Sequence, residues 1–164
     1  MINVRSAGIL VVRGRETMSM QRDLGRFVAA QDPLLPQIEK ELAAGRKQTH
    51  WMWFVFPQLA GLGHSSMAER YAIADLDDAR RYLAHPLLGE RLRRHVALVL
   101  AHKDTSAHRI FGSPDDLKFR SCLTLFRAAA DDQHDRQLLS DALTSFYGGE
   151  DDPRTLALLA ARDP

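Results

Sequence analysis

The sequence predicts an all-α protein, a single compact multihelical domain of about seven to eight helices with a loosely attached N-terminal extension. Apolar residues recur at every third or fourth position along most of the chain, which is the spacing of one helix face. These periodic segments are separated by helix-start and helix-stop residues, such as Asp32 followed by Pro33, and Gly45. Alternating polar and apolar strands and Asn-Gly or Asp-Gly hairpin turns are both missing from the sequence, which argues against a substantial sheet.

In the first half of the chain, apolar spacing predicts four helices, over residues 24–31, 35–45, 65–71 and 75–84. Asp32 and Pro33 provide a cap and a first-turn proline before the second helix, which Gly45 ends. Ser65 or Ser66 caps the third helix.

Four further helices are predicted in the second half, over residues 86–102, 114–130 and 133–147 and from residue 153 onward, and residues 106–111 are predicted to form one or two helical turns. We expect the first of these to be the longest. Ser113 is the predicted cap of the helix that starts at Pro114, and Asp115 and Asp116 follow where the helix dipole favours carboxylates. Gly148 is a stop signal for the helix before it.

Length and composition fit one folded domain, since 164 residues with 45% hydrophobic and 26% charged residues are ordinary for a globular protein. We assign residues 21–164 to this domain and residues 1–20 to the extension, in which Met18 or Met20 is an alternative translation start. One cysteine, Cys122, cannot form an internal disulfide, and no signal peptide is visible, so we expect a cytoplasmic protein. No apolar stretch approaches the roughly 20 residues that cross a bilayer, so no membrane association is expected.

The segment 50–58, HWMWFVFPQ, is the most unusual part of the chain because it contains both tryptophans and two of the seven phenylalanines. The six successive apolar residues 51–56 are too many for one helical stripe. They must be covered on several sides, or they must wall a cavity with their aromatic faces. A helix is favoured here, because a single strand without a partner would leave backbone groups unpaired.

Metal binding and covalent catalysis find little support. None of the seven histidines lies three or four residues from another on a predicted helix, so we predict no metal site, and no cofactor is expected. Cys122 lies in a predicted helix, where a small buried hydrophobe is the usual role. The segment 61–63, GLG, is more typical of a turn than of a phosphate-binding loop.

Two distant segments carry the residues of a candidate site. A pocket for a nucleotide-like ligand needs an aromatic face, a cation or free helix N-terminus for phosphate, and polar groups for the base or sugar. For ligand binding we predict Lys47, Trp51, Trp53, Gln58 and Ser121. For catalysis we predict Asp115, Lys118 and His50, with a carboxylate acting as a base or stabilising an oxocarbenium ion during cleavage of a glycosidic bond.

Simpler roles remain open for the same residues. Asp115 can act as a partner of the helix dipole, and Lys118 can pair with an earlier carboxylate. Trp51 and Trp53 can be core residues. His50 can cap or orient the aromatic segment through a ring nitrogen instead of titrating in a pocket.

The charge balance gives little support to nucleic-acid binding. Net charge is +1, so no global field favours a polyanion. The local basic run over residues 91–95, RLRRH, is typical of a solvated helix face. A protein partner or a homo-oligomer stays an open question at this point.

Several segments carry a resemblance to a known family: RFVAAQ, AGRKQTHWMWFVFPQLAGLG, YAIADLDDARRYLAHPLLGERL, IFGSPDDLKFRSCLTLF and FYGGEDDPRTLALL. Over about residues 24–159 the chain resembles a family of small bacterial and fungal proteins, a domain of unknown function often labelled calpastatin in genome annotation. The resemblance implies a compact multihelical fold. The calpastatin label implies protease inhibition, which is associated with disordered repeats, whereas this chain has the composition of a folded domain.

Many members of this family share Ser-Ser-Met where this chain has Ser121, Cys122 and Leu123, which argues against a catalytic Cys122. A more distant similarity, in the general helical plan, is to helical N-glycosidases of ADP-ribose or riboflavin-pathway intermediates. The leading interpretation is therefore a cytosolic helical domain with a pocket for a nucleotide-like ligand and, as its catalytic form, N-glycosidic hydrolysis. The alternative is a noncatalytic protein-interaction module.

Overall fold

The computed structural model describes residues 22–162, which form α-helices joined by short connections. In chain order the helices are α1 (Gly25–Gln31), α2 (Leu35–Ala44), α3 (Met52–Val55), α4 (Ser66–Arg70), α5 (Leu76–Ala84), α6 (Leu88–Leu100), α7 (Ala107–Phe111), α8 (Asp115–Ala129), α9 (Gln133–Tyr147) and α10 (Pro153–Arg162). A 3₁₀ turn (Asp32–Leu34) joins α1 to α2. The all-α prediction is confirmed. The number of helical segments exceeds seven to eight because α3, α4 and α7 are single turns of four or five residues. The extension predicted over residues 1–20 lies outside the described residues.

Local capping chemistry explains most helix ends. The Ser65 hydroxyl accepts a hydrogen bond from the backbone N–H of Ala68 at the start of α4, as an N-cap serine does. Gly45 ends α2 in the left-handed conformation, with φ of 69°, which glycine adopts without steric cost. None of the described helices has the length and apolar character to cross a membrane.

Three details of the helix prediction are wrong. Asp32 does not cap α2, because it begins the 3₁₀ turn and the N-cap of α2 is Leu34, which makes no side-chain hydrogen bond. Helix α6 has 13 residues and is shorter than α8 and α9, which have 15 each. Its apolar stripe ends at Leu100, and turns follow through Thr105. Ser113 does not cap α8, because that helix begins at Asp115 and its N-cap is Pro114, which has no side-chain acceptor.

Helix α8 is the central element of the domain and packs against α5, α7, α9 and α10. Its Phe119 and Phe126 are completely buried. The Phe119 ring lies 4.9 Å from that of Phe56 and 4.8 Å from that of Phe111, and the Phe126 ring lies 5.1 Å from that of Tyr82, measured between ring centres. Aromatic pairs at these distances stabilise by about 0.5–1.5 kcal/mol beyond their area burial. This cluster joins the aromatic segment to the rest of the core.

The aromatic segment is helical only over α3, and the residues on either side leave the helical conformation. Trp51 has φ of −144° and Phe56 has φ of −124°. This arrangement covers the segment on several sides: Trp51 and Phe56 are fully buried, whereas Trp53 is half-buried. The helix favoured for residues 51–56 is therefore shorter than expected.

A buried carboxylate from α2 holds the start of this segment. Glu41 accepts hydrogen bonds from the backbone N–H of Gln48, from the backbone N–H of Thr49 at 2.7 Å, from the Thr49 hydroxyl at 2.6 Å and from the Trp51 indole N–H at 3.3 Å. Burial by itself raises the pKa of Glu41, but the hydrogen bonds from Thr49 and Gln48 outweigh it and lower the pKa to about 2. Glu41 thus replaces regular secondary structure as the partner of this stretch of backbone.

Candidate functional site

The two segments that the sequence singles out contact each other. The Lys47 ammonium lies 2.9 Å from one carboxylate oxygen of Asp115, and the Lys118 ammonium lies 3.6 Å from the other. Backbone hydrogen bonding supports the contact, because the Lys47 N–H donates to the carbonyl of Ile110 at 2.7 Å. The Lys118 ammonium also lies 5.7 Å from the centre of the Trp53 ring, within the range of a cation–π interaction.

Asp115 and the two lysines largely neutralise one another. The Lys47 side chain is only 7% exposed, and its ammonium lies 5.1 Å from the centre of the Trp51 ring. Breaking so enclosed an ion pair leaves an uncompensated charge in poor contact with water, which is costly. Lys47 is therefore held within the protein by Asp115 and Trp51.

Three other predicted residues, Trp51, Ser121 and His50, lie in different environments. Trp51 is completely buried and its indole N–H points to Glu41. Ser121 is buried and donates to the carbonyl of Leu117 in its own helix at 3.1 Å, a common role for serine within a helix. His50 is exposed at the surface.

An open cleft of about 260 Å³ lies between α3 and the connection that contains α4. Two predicted residues, Trp53 and Gln58, line it. The other lining side chains with polar or aromatic groups are His64, Glu69 and Tyr71, and small residues between positions 60 and 72 complete the wall. The cleft therefore combines an indole face, an amide, an imidazole and a carboxylate.

Backbone pairing and one ring cluster give the cleft a defined shape. Ile73 pairs with the segment 58–60 on the opposite side of the cleft. The Ile73 N–H donates to the carbonyl of Gln58, and the Ile73 carbonyl accepts from the N–H of Ala60, both at 2.8 Å. Tyr71 packs behind the wall, with ring centres 5.8 Å from Phe27 and 5.3 Å from Phe54. The cleft is thus supported by the core.

Two arginines hold the cleft walls by donating to backbone carbonyls. Arg26 donates to the carbonyls of Arg70 and Ala72, both at 2.8 Å. Arg162, at the end of α10, donates to the carbonyl of Ala60 at 2.5 Å and to that of Ala74 at 2.9 Å. Burial lowers the pKa of Arg26, and the nearby carboxylates of Asp23 and Asp78 oppose that shift.

Cationic groups outnumber carboxylates at the cleft. Arg70 lies in the chain between the lining residues Glu69 and Tyr71, and its guanidinium lies 5.4 Å from the centre of the Tyr71 ring. Within residues 22–162, Arg26, Arg70 and Arg162 take part in no ion pair. Glu69 is the one carboxylate among the lining residues. The rim therefore has a surplus of positive charge.

Sequence reasoning missed His64, Glu69, Arg26 and Arg162. The one local signal was the glycine-containing turn at residues 61–63. Gly61 has φ of 101° and lies under Arg162, since a Cβ there would be 3.5 Å from its guanidinium. Nothing in the local sequence indicates that residues 26 and 162 meet this loop.

The arginines of the basic run are paired with carboxylates. Arg91 lies 2.8 Å from Asp32, Arg93 lies 2.6 Å from Asp135, and Arg94 lies 2.5 Å from Glu39. Such pairing reduces the field that the run presents to a polyanion.

The described part of the chain, residues 22–162, contains no group of three or more histidine, cysteine, aspartate or glutamate side chains that could hold a metal ion. Cys122 is completely buried, and burial raises the pKa of its thiol well above the ordinary value. A reactive cysteine needs the opposite environment, partly exposed and cationic.

Comparison with known proteins places the chain in a family. A family model described as "Protein of unknown function (DUF1810)" matches residues 21–159. The chain belongs to this family. A crystal structure at 1.38 Å of the conserved hypothetical protein Rv1873 from Mycobacterium tuberculosis is similar to this DUF1810 protein, with 51% identity and a TM-score of 0.81. The match covers 84% of this chain and 96% of that one. No functionally curated protein matches.

The DUF1810 match includes nearly the whole candidate site. The cleft lining and the ion pairs of Asp115 fall within residues 21–159, whereas Arg162 lies beyond them. Neither the description of the family nor that of the mycobacterial protein assigns an activity.

Proposed function

We propose that the cleft beside Trp53 binds a small planar heteroaromatic ligand of the nucleotide-like class. One observation carries the proposal: the half-buried indole of Trp53 walls a cleft of about 260 Å³ that also contains several polar groups. An indole face stacks on heterocyclic bases, and stacking of this kind contributes about 1–3 kcal/mol per base. The amide of Gln58 can both donate to and accept from a base edge.

The chain contains two tryptophans, which makes fluorescence a direct test. Trp53 lines the cleft and Trp51 is completely buried. A ligand stacked on Trp53 should quench the emission of a Trp51→Phe variant, in which Trp53 is the single reporter. The same ligand should leave the emission of a Trp53→Phe variant nearly unchanged.

Adenosine, uridine, nicotinamide riboside, their 5′-phosphates, NAD and ADP-ribose form a suitable panel. Each is tested by tryptophan quenching and by the rise in unfolding temperature of the wild type, as binding to the native state stabilises it. Gln58→Ala should weaken binding, and Gln137→Ala, an exposed residue of α9, is the matched control. No quenching and no stabilisation by any compound at millimolar concentration would refute the proposal.

A second candidate function is N-glycosidic hydrolysis, with Asp115, Lys118 and His50 as the catalytic residues. It is supported by the position of the Lys118 ammonium, 5.7 Å from the centre of the Trp53 ring, which connects the ion-paired Asp115 to the cleft wall. In this reaction water adds to the anomeric carbon of the sugar, and the base leaves with a proton. Asp115 would stabilise the oxocarbenium ion.

Release of free base from each bound nucleoside or dinucleotide, followed by chromatography, tests this second function. Asp115→Asn, Lys118→Ala and His50→Ala should each slow the release, while Glu150→Gln, an exposed carboxylate elsewhere, should not. If the wild type releases no base from a ligand that it demonstrably binds, hydrolysis is excluded and binding alone remains.

The alternative is a noncatalytic protein-interaction module. The exposed large apolar residues Leu34, Leu87, Leu117 and Leu156 lie on four different elements and are the single exposed hydrophobics that most proteins carry. A monodisperse monomer in sedimentation would favour the ligand-binding proposal over self-association. Protease inhibition of the calpastatin type is not proposed, because it is associated with disordered repeats and residues 22–162 form a folded helical domain.

A further inference from the structure

We infer that the ligand of the cleft is anionic, a heteroaromatic compound carrying a phosphate, and that Arg162 and Arg70 at the rim recognise that phosphate. This inference rests on the proposed function, which names the cleft as the binding site, and it adds the charge of the ligand and the groups that read it. The phosphate contact lies away from Lys47, which the sequence predicts to bind the ligand, and from Lys118, which it predicts to act in catalysis.

The charges of Lys47 and Lys118 are already compensated by Asp115. Both ammonium groups share the carboxylate of Asp115, at 2.9 and 3.6 Å, and Lys47 is almost completely enclosed. A ligand phosphate at this position would have to displace Asp115 or approach its negative charge. Neither lysine belongs to the lining of the cleft.

Arg162 offers hydrogen-bond donors at the rim of the cleft. Its guanidinium donates to the carbonyls of Ala60 and Ala74, and Ala60 belongs to the cleft lining. A guanidinium has five N–H donors in a planar fork. The two hydrogen bonds to carbonyls fix the orientation of the group, and its remaining donors are left for a further acceptor at the exposed side chain.

Arg70 follows the lining residue Glu69 and precedes the lining residue Tyr71 in the chain. Its guanidinium lies 5.4 Å from the centre of the Tyr71 ring. Arginine on an aromatic face keeps its edge donors available for phosphate. Arg70 is exposed, and in the described part of the chain it has no carboxylate within ion-pair distance.

The charge balance of the rim then decides between a neutral and an anionic ligand. Arg26, Arg70 and Arg162 contact the walls, and none of them has a carboxylate partner among the described residues, whereas Glu69 is the one carboxylate in the lining. Arg26 donates to the backbone carbonyls of Asp23, Arg70 and Ala72, so it can act on a bound phosphate only through its electric field and not by a hydrogen bond. A phosphate at this rim gains attraction from the guanidiniums of Arg70 and Arg162 and meets repulsion from Glu69, whereas Asp23 and Asp78 offset the charge of Arg26.

The test compares a nucleoside with its own 5′-monophosphate, because the two share the stacking and differ in charge. Dissociation constants are measured by quenching of Trp53 for adenosine and AMP, and for uridine and UMP. We expect the monophosphate to bind about tenfold more tightly at low ionic strength, and this advantage to shrink as salt screens the exposed charges.

Arg162 also holds the cleft wall, so the readout is the ratio of the two dissociation constants rather than either constant alone. Arg162→Gln should reduce the preference for the monophosphate, and so should Arg70→Gln. Arg162→Lys keeps the charge and should retain most of the preference. Arg154→Gln, another exposed arginine of α10, is the matched control and should leave the ratio unchanged.

Each outcome decides one of the two ideas. If nucleosides bind but their monophosphates bind no more tightly, the inference is overturned and the proposed function stands. If Arg162→Gln and Arg70→Gln weaken both members of a pair equally, the arginines only support the wall and the inference is again overturned. If neither member binds, the proposed function fails together with the inference.

Discussion

Replacing Glu41 by glutamine is the sharpest perturbation of the segment that carries Trp53. The carboxylate is 3% exposed and accepts from two backbone N–H groups, one hydroxyl and one indole. Gln37 donates to it as well, at 2.9 Å. Glu41→Gln keeps the shape of the side chain but turns an NH₂ group toward donors, so at least one buried donor loses its acceptor.

The magnitude follows from the pKa of Glu41, which lies at about 2 instead of the ordinary 4.5. Because the folded protein favours the ionised form, this stability is present above the unfolded pKa and is lost as pH falls toward 2. The difference corresponds to about 3 kcal/mol as an upper bound, and access of water to the surrounding loop reduces it to about 2 kcal/mol. About 1–2 kcal/mol of the stability that Glu41 contributes should be lost when the pH falls from 7 to 3.

Urea unfolding of the wild type and of Glu41→Gln at pH 7 and at pH 3 measures both quantities. The variant should be less stable by about 2 kcal/mol at pH 7, and the gap should narrow by about 1–2 kcal/mol at pH 3. Glu150→Gln, which removes a carboxylate that is 81% exposed, should differ from the wild type by less than about 0.5 kcal/mol. A gap below about 0.5 kcal/mol at pH 7, or one that stays constant with pH, would refute the role assigned to Glu41.

Three further predictions concern the core. Burial lowers the pKa of His95 to about 4, although Glu39 opposes that shift. The free energy of unfolding should therefore fall by about 2 kcal/mol from pH 7 to pH 5 through this group. In urea titrations His95→Gln should lack this contribution to the decline, and a decline equal to that of the wild type would contradict the prediction. Gly89→Ala should lower the free energy of unfolding by about 1–3 kcal/mol, because the added Cβ would lie 2.0 Å from the carbonyl oxygen of Leu83. A loss of stability no larger than that of Glu90→Ala would count against this steric clash. Cys122 should react with a thiol reagent only at the rate of unfolding, since it is completely buried, and rapid labelling of the native protein would disprove that.

Helix positions could be predicted from the sequence because their signals are local. Asp75, Asp132 and Gly148 mark helix ends that the structure shows within a residue or two of the expected positions. A cap needs only its own side chain and the backbone three residues away. Ser113 and Asp32 are exceptions, because Pro114 and Leu34 occupy the cap positions of the helices that follow them.

The cleft could not be predicted because its determinants are far apart in sequence. Its walls are paired through Ile73 and Gln58 and held by Arg26 and Arg162, contacts that span 15 to 102 residues. The contact between Lys47 and Asp115 also spans a long interval, but there both residues lie in segments whose composition is unusual. Apolar periodicity reports which face of an element is buried and carries no information on which loops it meets.

The position of Trp53 shows how the aromatic segment serves both the core and the cleft. A single helical turn directs neighbouring residues about 100° apart, so six successive apolar side chains cannot all face the same core. Trp51 and Phe56 are fully buried at the two ends, and Trp53 is left half-buried on the side of the cleft. Complete burial of a large apolar side chain stabilises the folded state by about 1.5–3 kcal/mol. Because Trp53 is only half-buried, the protein gains only part of this stabilisation there. A ligand stacked on the exposed indole face would recover that burial, which is the physical reason for proposing a binding site there.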